Sequence, residues 1–204
     1  MADDRPTVFI VDDDQAVRDS LSMLVETVGL GAKAYATAME FLDDYRPSQA
    51  GCLVADVRMP GINGLELQAC LADRGIPIPV VIITGHGDVY MAVQALKAGA
   101  VDFVEKPFRD QELLDSIQRA IAIDARLRSE QSERDKVRGR LDQLTERERE
   151  VMELLVRGKS NKEVGAELGI SRKTVDFHRV RILEKMGANS LVELVLMMQR
   201  TPRP

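Results

Sequence analysis

Short runs of apolar and β-branched residues alternate with helix-period segments through the first half of the chain. The runs are Thr7–Val11, Gly31–Tyr35 and residues 52–55, 79–83 and 101–104, each of strand length. Between the first two, Val17, Leu21, Leu24, Val25 and Val28 recur at three- and four-residue steps. That spacing gives a helix one apolar stripe, and Gly29 can end it. Similar stripes occupy residues 63–72 and 89–98. Alternation of this kind predicts an α/β unit, a parallel sheet of five strands wrapped by helices. Right-handed crossovers then bring the strand carboxyl ends to one edge.

From Gln111 onward the pattern is helical. Leu113, Leu114, Ile117 and Ile121 form one face, and the mixed-charge stretch from Arg126 to Lys136 follows with no Pro or Gly. Such a stretch predicts a solvated helical linker rather than a flexible tether. Beyond Leu144 four short helices are predicted. Thr145 with Glu148, and Ser160 with Glu163, have capping-box spacing. Gly169-Ile170-Ser171 makes a tight turn into Arg172–Met186, whose inward side would be Val175, Ile182, Leu183 and Met186, and a last helix covers residues 190–199. Two helices joined by a short turn containing Gly are a helix-turn-helix signature. The domain reading is therefore 1–122 for the α/β unit, 123–140 for the linker and 141–204 for the helical unit.

The chemistry lies at the ends of the apolar runs. Asp12-Asp13-Asp14 follows the first, Asp56 the third, Thr84 the fourth and Lys106-Pro107 the fifth. Asp14 suits a helix N-cap. The others converge on one edge, where open α/β sheets bind ligands. Three carboxylates there repel one another unless a cation joins them. Magnesium suits oxygen ligands and is held by one or two carboxylates plus phosphate oxygens. Asp13 and Asp56 would ligate it, Asp12 directly or through water, with the Arg58 backbone carbonyl completing the set. An aspartate can accept a phosphoryl group covalently. Transfer of that group calls for positioning and charge neutralisation, for which Lys106 offers a point charge and Thr84 a hydroxyl. Gly85 would leave the acceptor open to a bulky donor. Pro107 stands where cis peptide bonds occur, a geometry that would aim Lys106 inward.

Charge separates the halves. Residues 1–124 hold 20 Asp/Glu against 10 Lys/Arg, net −10, whereas 125–204 hold 13 against 18, net +5. An acidic half suits cation binding and a basic half suits a polyanion. Cys52 and Cys70 show no CxxC spacing, which argues against a zinc site or disulfide framework. The acidic start has no signal-peptide stretch, and no run approaches the roughly 20 apolar residues of a membrane span. The expected location is the cytoplasm, with no membrane partner.

Residues 7–120 resemble the receiver domain of two-component response regulators. The family's paired acids match Asp12 and Asp13, its phosphoacceptor with the following Met-Pro and Gly matches Asp56, Met59-Pro60 and Gly64, its switch hydroxyl matches Thr84, and its Lys-Pro matches Lys106-Pro107. Residues 141–199 resemble the LuxR-type helix-turn-helix, through Leu144-Thr145-Glu146-Arg147-Glu148-Arg149-Glu150-Val151, Asn161-Lys162-Glu163-Val164, Gly169-Ile170-Ser171, Thr174-Val175, His178 and Lys185. Together they point to the NarL/FixJ family, with a FixJ-like chain the nearest pattern. The resemblance implies a flavodoxin-like receiver with strand order 2-1-3-4-5. It also implies Phe103 as a switch aromatic that turns inward as Thr84 moves, His86 and Arg58 as modulators of phosphoryl lifetime, and magnesium, for which manganese can stand in. The resemblance further implies that phosphorylated receivers of this kind pair through the fourth helix and fifth strand, a face that here would include Val93, Lys97 and Val101.

A recognition helix lies in the major groove. With Val175, Ile182 and Met186 inward, the opposite face carries Arg172, Lys173, Asp176, Phe177 and Val180, the base-reading candidates. Thr174, Arg179, Arg181 and Lys185, with Lys159, Asn161 and Lys162, are placed for phosphates. Asp176 could accept from a cytosine amino group, and His178 is read as bonding within its own domain. The whole predicts a phosphorylation-controlled transcription factor, not an enzyme. A sensor histidine kinase would be the donor to Asp56, double-stranded promoter DNA the target, a homodimer the phosphorylated form, and RNA polymerase a candidate partner. The alternative is an output domain acting through protein partners. A phosphatase is a further rival, but the chain lacks a second nucleophile.

Overall fold

The computed structural model describes residues 5–85 and 89–200. Strands β1 (Thr7–Val11), β2 (Gly31–Tyr35), β3 (Gly51–Asp56), β4 (Val80–Thr84) and β5 (Asp102–Glu105) alternate with helices α1 (Gln15–Thr27), α2 (Ala38–Asp44), α3 (Gly64–Asp73), α4 (Val89–Lys97) and α5 (Asp110–Asp142). All pairings are parallel, in the order β2-β1-β3-β4-β5. Side chains alternate across the sheet, so each strand feeds two cores. Phe9, Val11, Leu53, Ala55 and Ile82 meet Phe41 of α2, Leu67 and Leu71 of α3 and Ala95 of α4. Val8, Ile10, Val54, Val81 and Ile83 meet Leu21 and Val25 of α1 and Leu113, Ile117 and Ala120 of α5. With both faces covered, β3 and β4 are buried at every position, which is why they read as unbroken apolar runs.

Three features depart from the sequence reading. Helix α2 was not anticipated, because seven residues are too few to show a stripe. It is nonetheless started by Thr37, whose hydroxyl accepts from Glu40 N–H, and anchored by Phe41 in an aromatic cluster with Phe9 and Tyr45. Val28 leaves the α1 stripe, since the helix ends at Thr27 and Val28 is exposed at its C-cap. Strands β3, β4 and β5 each run one residue later at their ends, so that Asp56, Thr84 and Glu105 belong to the sheet. Asp56 pairs with Ile83, and Thr84 with Glu105.

The chain divides into two compact units, Met1–Arg128 and Ser129–Pro204. Residues 123–140, read as linker, are the continuation of α5. Their first part packs on the sheet. Buried Asp124 accepts from Gly51 N–H at 2.9 Å and from Arg128, which also donates to the carbonyls of Pro47 and Gln49. Gly51 is obligatory at this contact, because a Cβ there would lie 1.8 Å from the Thr7 carbonyl oxygen. The last part of α5 joins the second unit, whose core holds Val137 and Leu144. That core is completed by α6 (Glu146–Val156), α7 (Asn161–Leu168), α8 (Arg172–Met186) and α9 (Leu191–Arg200), through Val151, Leu155, Val164, Val175, Ile182, Met186 and Leu194. Both predicted capping boxes form, at Thr145/Glu148 and Ser160/Glu163. Gly169 closes α7 in the left-handed conformation at φ +66°, which a side chain would disfavour. The result is a helix, a three-residue turn and a second helix.

Candidate functional site

At the carboxyl edge of the sheet, Asp12 and Asp56 are buried side chains joined by one cation. Lys106 Nζ donates to Asp12 Oδ2 at 2.7 Å and to Asp56 Oδ1 at 2.8 Å. The remaining oxygens are also held. Asp14 N–H donates to Asp12 Oδ1 at 2.9 Å, and Arg58 N–H to Asp56 Oδ2 at 2.6 Å. Two like charges this deep would be costly alone, and the shared ammonium offsets their repulsion. Burial pulls the Lys106 pKa down, but the bonds and charges of Asp12 and Asp56 outweigh that and hold it above the ordinary lysine value. The Lys106–Pro107 bond is cis, and Lys106 N–H donates to the Thr84 carbonyl at 2.7 Å, tying the segment after β5 to β4. Gly64 lets α3 begin against this edge, since a Cβ there would sit 2.3 Å from the Asp56 carbonyl oxygen.

Asp13 stands apart. It is exposed, lining an open depression of about 560 Å³ with Arg58, Met59, Pro60 and Asn63. The expected cluster of three carboxylates is therefore not closed. Among the described residues no group of three or more His, Cys, Asp or Glu side chains is gathered closely enough to hold a metal. Asp12 and Asp56 turn toward Lys106, while Asp13 faces the rim. The contact seen at Arg58 is its N–H on Asp56, not the carbonyl expected to face a cation. Thr84 is fully buried, and Phe103 is half-buried against the α2–α3–α4 side of the sheet. Gly85 is exposed. His86 lies outside the described residues.

The three residues read as a pairing face differ in exposure. Val93 and Lys97 are exposed, but Val101 packs against the core and its N–H donates to the Val80 carbonyl at 2.7 Å. Tyr90, 70% exposed, and Leu96, 49% exposed, extend this surface and were missed. The three-residue step from Tyr90 through Val93 to Leu96 was the available signal.

In the second unit, α8 turns Val175, Ile182 and Met186 inward and leaves Arg172, Lys173, Asp176, Phe177, Val180 and Arg181 exposed. Arg181 lies over the Phe177 ring, 5.1 Å from its centroid. Several predicted contacts are engaged within the domain. Asp176 accepts from Asn161, Lys159 pairs with Glu167, and the Thr174 hydroxyl meets Ser171 Oγ at the helix start, 2.8 Å away. Lys162 is exposed and Arg179 half-buried. Lys185, expected on a phosphate, donates within the domain to Glu148 Oε2 at 2.6 Å and to the Gln143 carbonyl. Glu148 is buried, which raises its pKa, but Lys185 and the Thr145 N–H outweigh this and leave it below the usual carboxylate range. His178, read as bonding internally, has a buried Nδ1 with no hydrogen-bond partner among the described residues.

Residues 8–118 match the model of the response regulator receiver domain, and residues 142–198 that of the luxR family of bacterial regulatory proteins. Both units are thereby accounted for. The chain is a response regulator of the NarL/FixJ family. It is 42% identical to the response regulator protein TodT of Pseudomonas putida, over 98% of this chain and 88% of TodT. It is 45% identical to the transcriptional regulatory protein FixJ of Azorhizobium caulinodans, over 93% and 90%. Among solved structures, the response regulator StyR is similar at TM-score 0.86 and 43% identity, covering 96% of this chain and 99% of StyR. Full-length FixJ from B. japonicum is similar at TM-score 0.59 and 42% identity, covering 96% of each. The sheet order of this NarL/FixJ response regulator is the one expected, and its helical unit is the DNA-binding helix-turn-helix of the family. No described helix is long and apolar enough to cross a membrane.

Proposed function

We propose that Asp56 accepts a phosphoryl group from a sensor histidine kinase and that the phosphorylated chain pairs through α4 and β5 and binds promoter DNA sequence-specifically. The observation that carries this reading is the pair of bonds from Lys106 to Asp12 and Asp56. They put a fixed positive charge beside the one buried carboxylate at the end of β3. In the transfer, the phosphorus–nitrogen bond of a phosphohistidine breaks as a phosphorus–oxygen bond to Asp56 forms, and the leaving imidazole takes up a proton. Lys106 neutralises charge on the incoming group, and Thr84 contributes a hydroxyl once it moves toward Asp56. Asp12, Asp13 and Asp56 offer hard oxygen donors of the kind magnesium takes, with Asp13 reachable from solvent, and Asp12 or Asp56 would supply the second carboxylate. Magnesium or manganese, when bound there, would supply further charge neutralisation. Movement of Thr84 and Phe103 would favour one of two receiver shapes and so couple Asp56 to the α4 surface.

The test is intact-mass analysis after incubation with a small-molecule phosphodonor and magnesium, followed by light scattering and duplex binding. Wild type gains one phosphoryl group, dimerises and binds DNA more tightly, whereas Asp56→Asn does none of these. A phosphorylated Asp56→Asn chain, or an Asp56→Asn chain that dimerises like wild type, defeats the proposal.

A further inference from the structure

On the outward face of α8 the exposed groups at the centre are apolar. Phe177 and Val180 are each 56% exposed, three residues apart, and nearly opposite the buried Val175, Ile182 and Met186. Single exposed apolar side chains need no explanation, but these two adjoin on a helix turn and are flanked by Arg172, Lys173 and Arg181. A polyanion is the partner that the flanking charge fits. Farther along the same face stands Glu184, exposed, and a carboxylate is unfavourable against phosphates, so the groove-facing length ends near Arg181. Within that length Asp176 already accepts from Asn161, which takes up one of its carboxylate oxygens. Arg181 is held over the Phe177 ring, which positions its guanidinium and covers one ring face.

In the major groove the C5-methyl of thymine is the apolar group that a base presents. Resting on the DNA-binding reading above, we infer that Phe177 and Val180 recognise thymine methyl groups, so that this response regulator reads its half-site largely by shape and apolar contact at one or two thymines. Arg172 and Lys173 supply the polar and phosphate contacts around them. The readout is thus weighted toward the presence of a methyl rather than toward a cytosine amino group at Asp176.

The experiment uses the full chain with phosphodonor. A duplex selected from a random pool is resynthesised with deoxyuridine replacing each thymidine in turn, which removes the methyl and keeps the pairing. Wild type should lose about fourfold in affinity at one or two positions per half-site, the equivalent of one buried methyl-sized group. Phe177→Ala and Val180→Ala, shown by circular dichroism to be folded, should bind more weakly overall but no longer distinguish thymine from uracil there. Tight binding by wild type that is indifferent to every replacement overturns the inference while leaving DNA binding intact. Undiminished methyl sensitivity in both variants overturns it equally. Failure to bind any duplex overturns the DNA-binding reading itself.

Discussion

The receiver edge and the recognition helix use charge in opposite ways. At the edge, Asp12 and Asp56 are buried and every carboxylate oxygen has a donor at 2.6 to 2.9 Å. On α8 Arg172, Lys173 and Arg181 are exposed, and the apolar pair Phe177 and Val180 is exposed with them. A buried charge is held in place by its neighbours, because an unpaired one costs several kcal/mol. An exposed charge costs little and is held by little. The first site is therefore preorganised for a small group of defined geometry, whereas the second can adapt to a long, repetitive polyanion. The sharpest break in this contrast is Asp56→Asn. It should abolish phosphoryl uptake, seen as a missing mass increment, while leaving unphosphorylated duplex binding within about twofold, since the two effects reside in separate units.

Lys106→Met tests whether the edge depends on its shared cation. Removing the ammonium leaves two buried carboxylates facing each other, and stability should fall by about 2 kcal/mol. This is below the usual range for breaking a buried pair, because Lys106 is partly exposed. Magnesium at millimolar concentration should restore much of the loss if the same oxygens can take a divalent ion. Chemical denaturation of the first unit with and without the metal measures this. A destabilisation that magnesium leaves unchanged would separate the ion-pair role from metal binding.

The same contrast explains what could be read in advance. A polar residue ending an apolar run is ordinary by itself, but Asp12, Asp56, Thr84 and Lys106 end four runs that a parallel sheet brings to one edge, and that convergence made the edge legible. Which carboxylates would cluster was not readable, since Asp12 and Asp13 are adjacent and only the alternation of the chain turns one to Lys106 and the other to the rim. On α8, periodicity correctly separated Val175, Ile182 and Met186 from the outward residues. It could not tell which cations point to solvent. Lys185 and Lys159 look like Lys173 in the sequence, but each has an acidic partner eight or more positions away. Helix α2 escaped for a related reason, because its anchor Phe41 is fixed by Phe9 and Tyr45 rather than by a local repeat.

One buried ion pair in the second unit gives that domain some of the character of the receiver edge. Glu148 closes the α6 capping box and receives Lys185. Its folded pKa is lowered, so its contribution is present above the unfolded value of about 4.3 and is lost as pH falls through the lower folded value. Glu148→Ala should cost about 1 to 2 kcal/mol at neutral pH, through the lost cap and the unpaired lysine. The difference from wild type should shrink as pH is lowered past 4. Thermal melts across pH 3 to 7 measure it, and a constant difference would mean that the carboxylate charge plays no part.

The smallest effect separates lysines that look alike in the sequence. Each phosphate contact releases counterion, so the slope of log affinity against log salt counts the cations that reach the backbone. Lys173 is exposed at the start of α8, and Lys173→Ala should reduce that slope by about one. Lys185 is held by Glu148 and by the Gln143 carbonyl. For Lys185→Ala the slope should remain that of wild type, with the loss appearing as lower thermal stability instead. Salt titrations of duplex binding by both variants, at one temperature well below their melting transitions, measure the two slopes. A reduced slope for Lys185→Ala would mean that its ammonium leaves Glu148 to meet DNA, making the ion pair a store of charge released on binding rather than a structural tie. An unchanged slope would place it with Lys106, among the cations whose partners lie inside the fold.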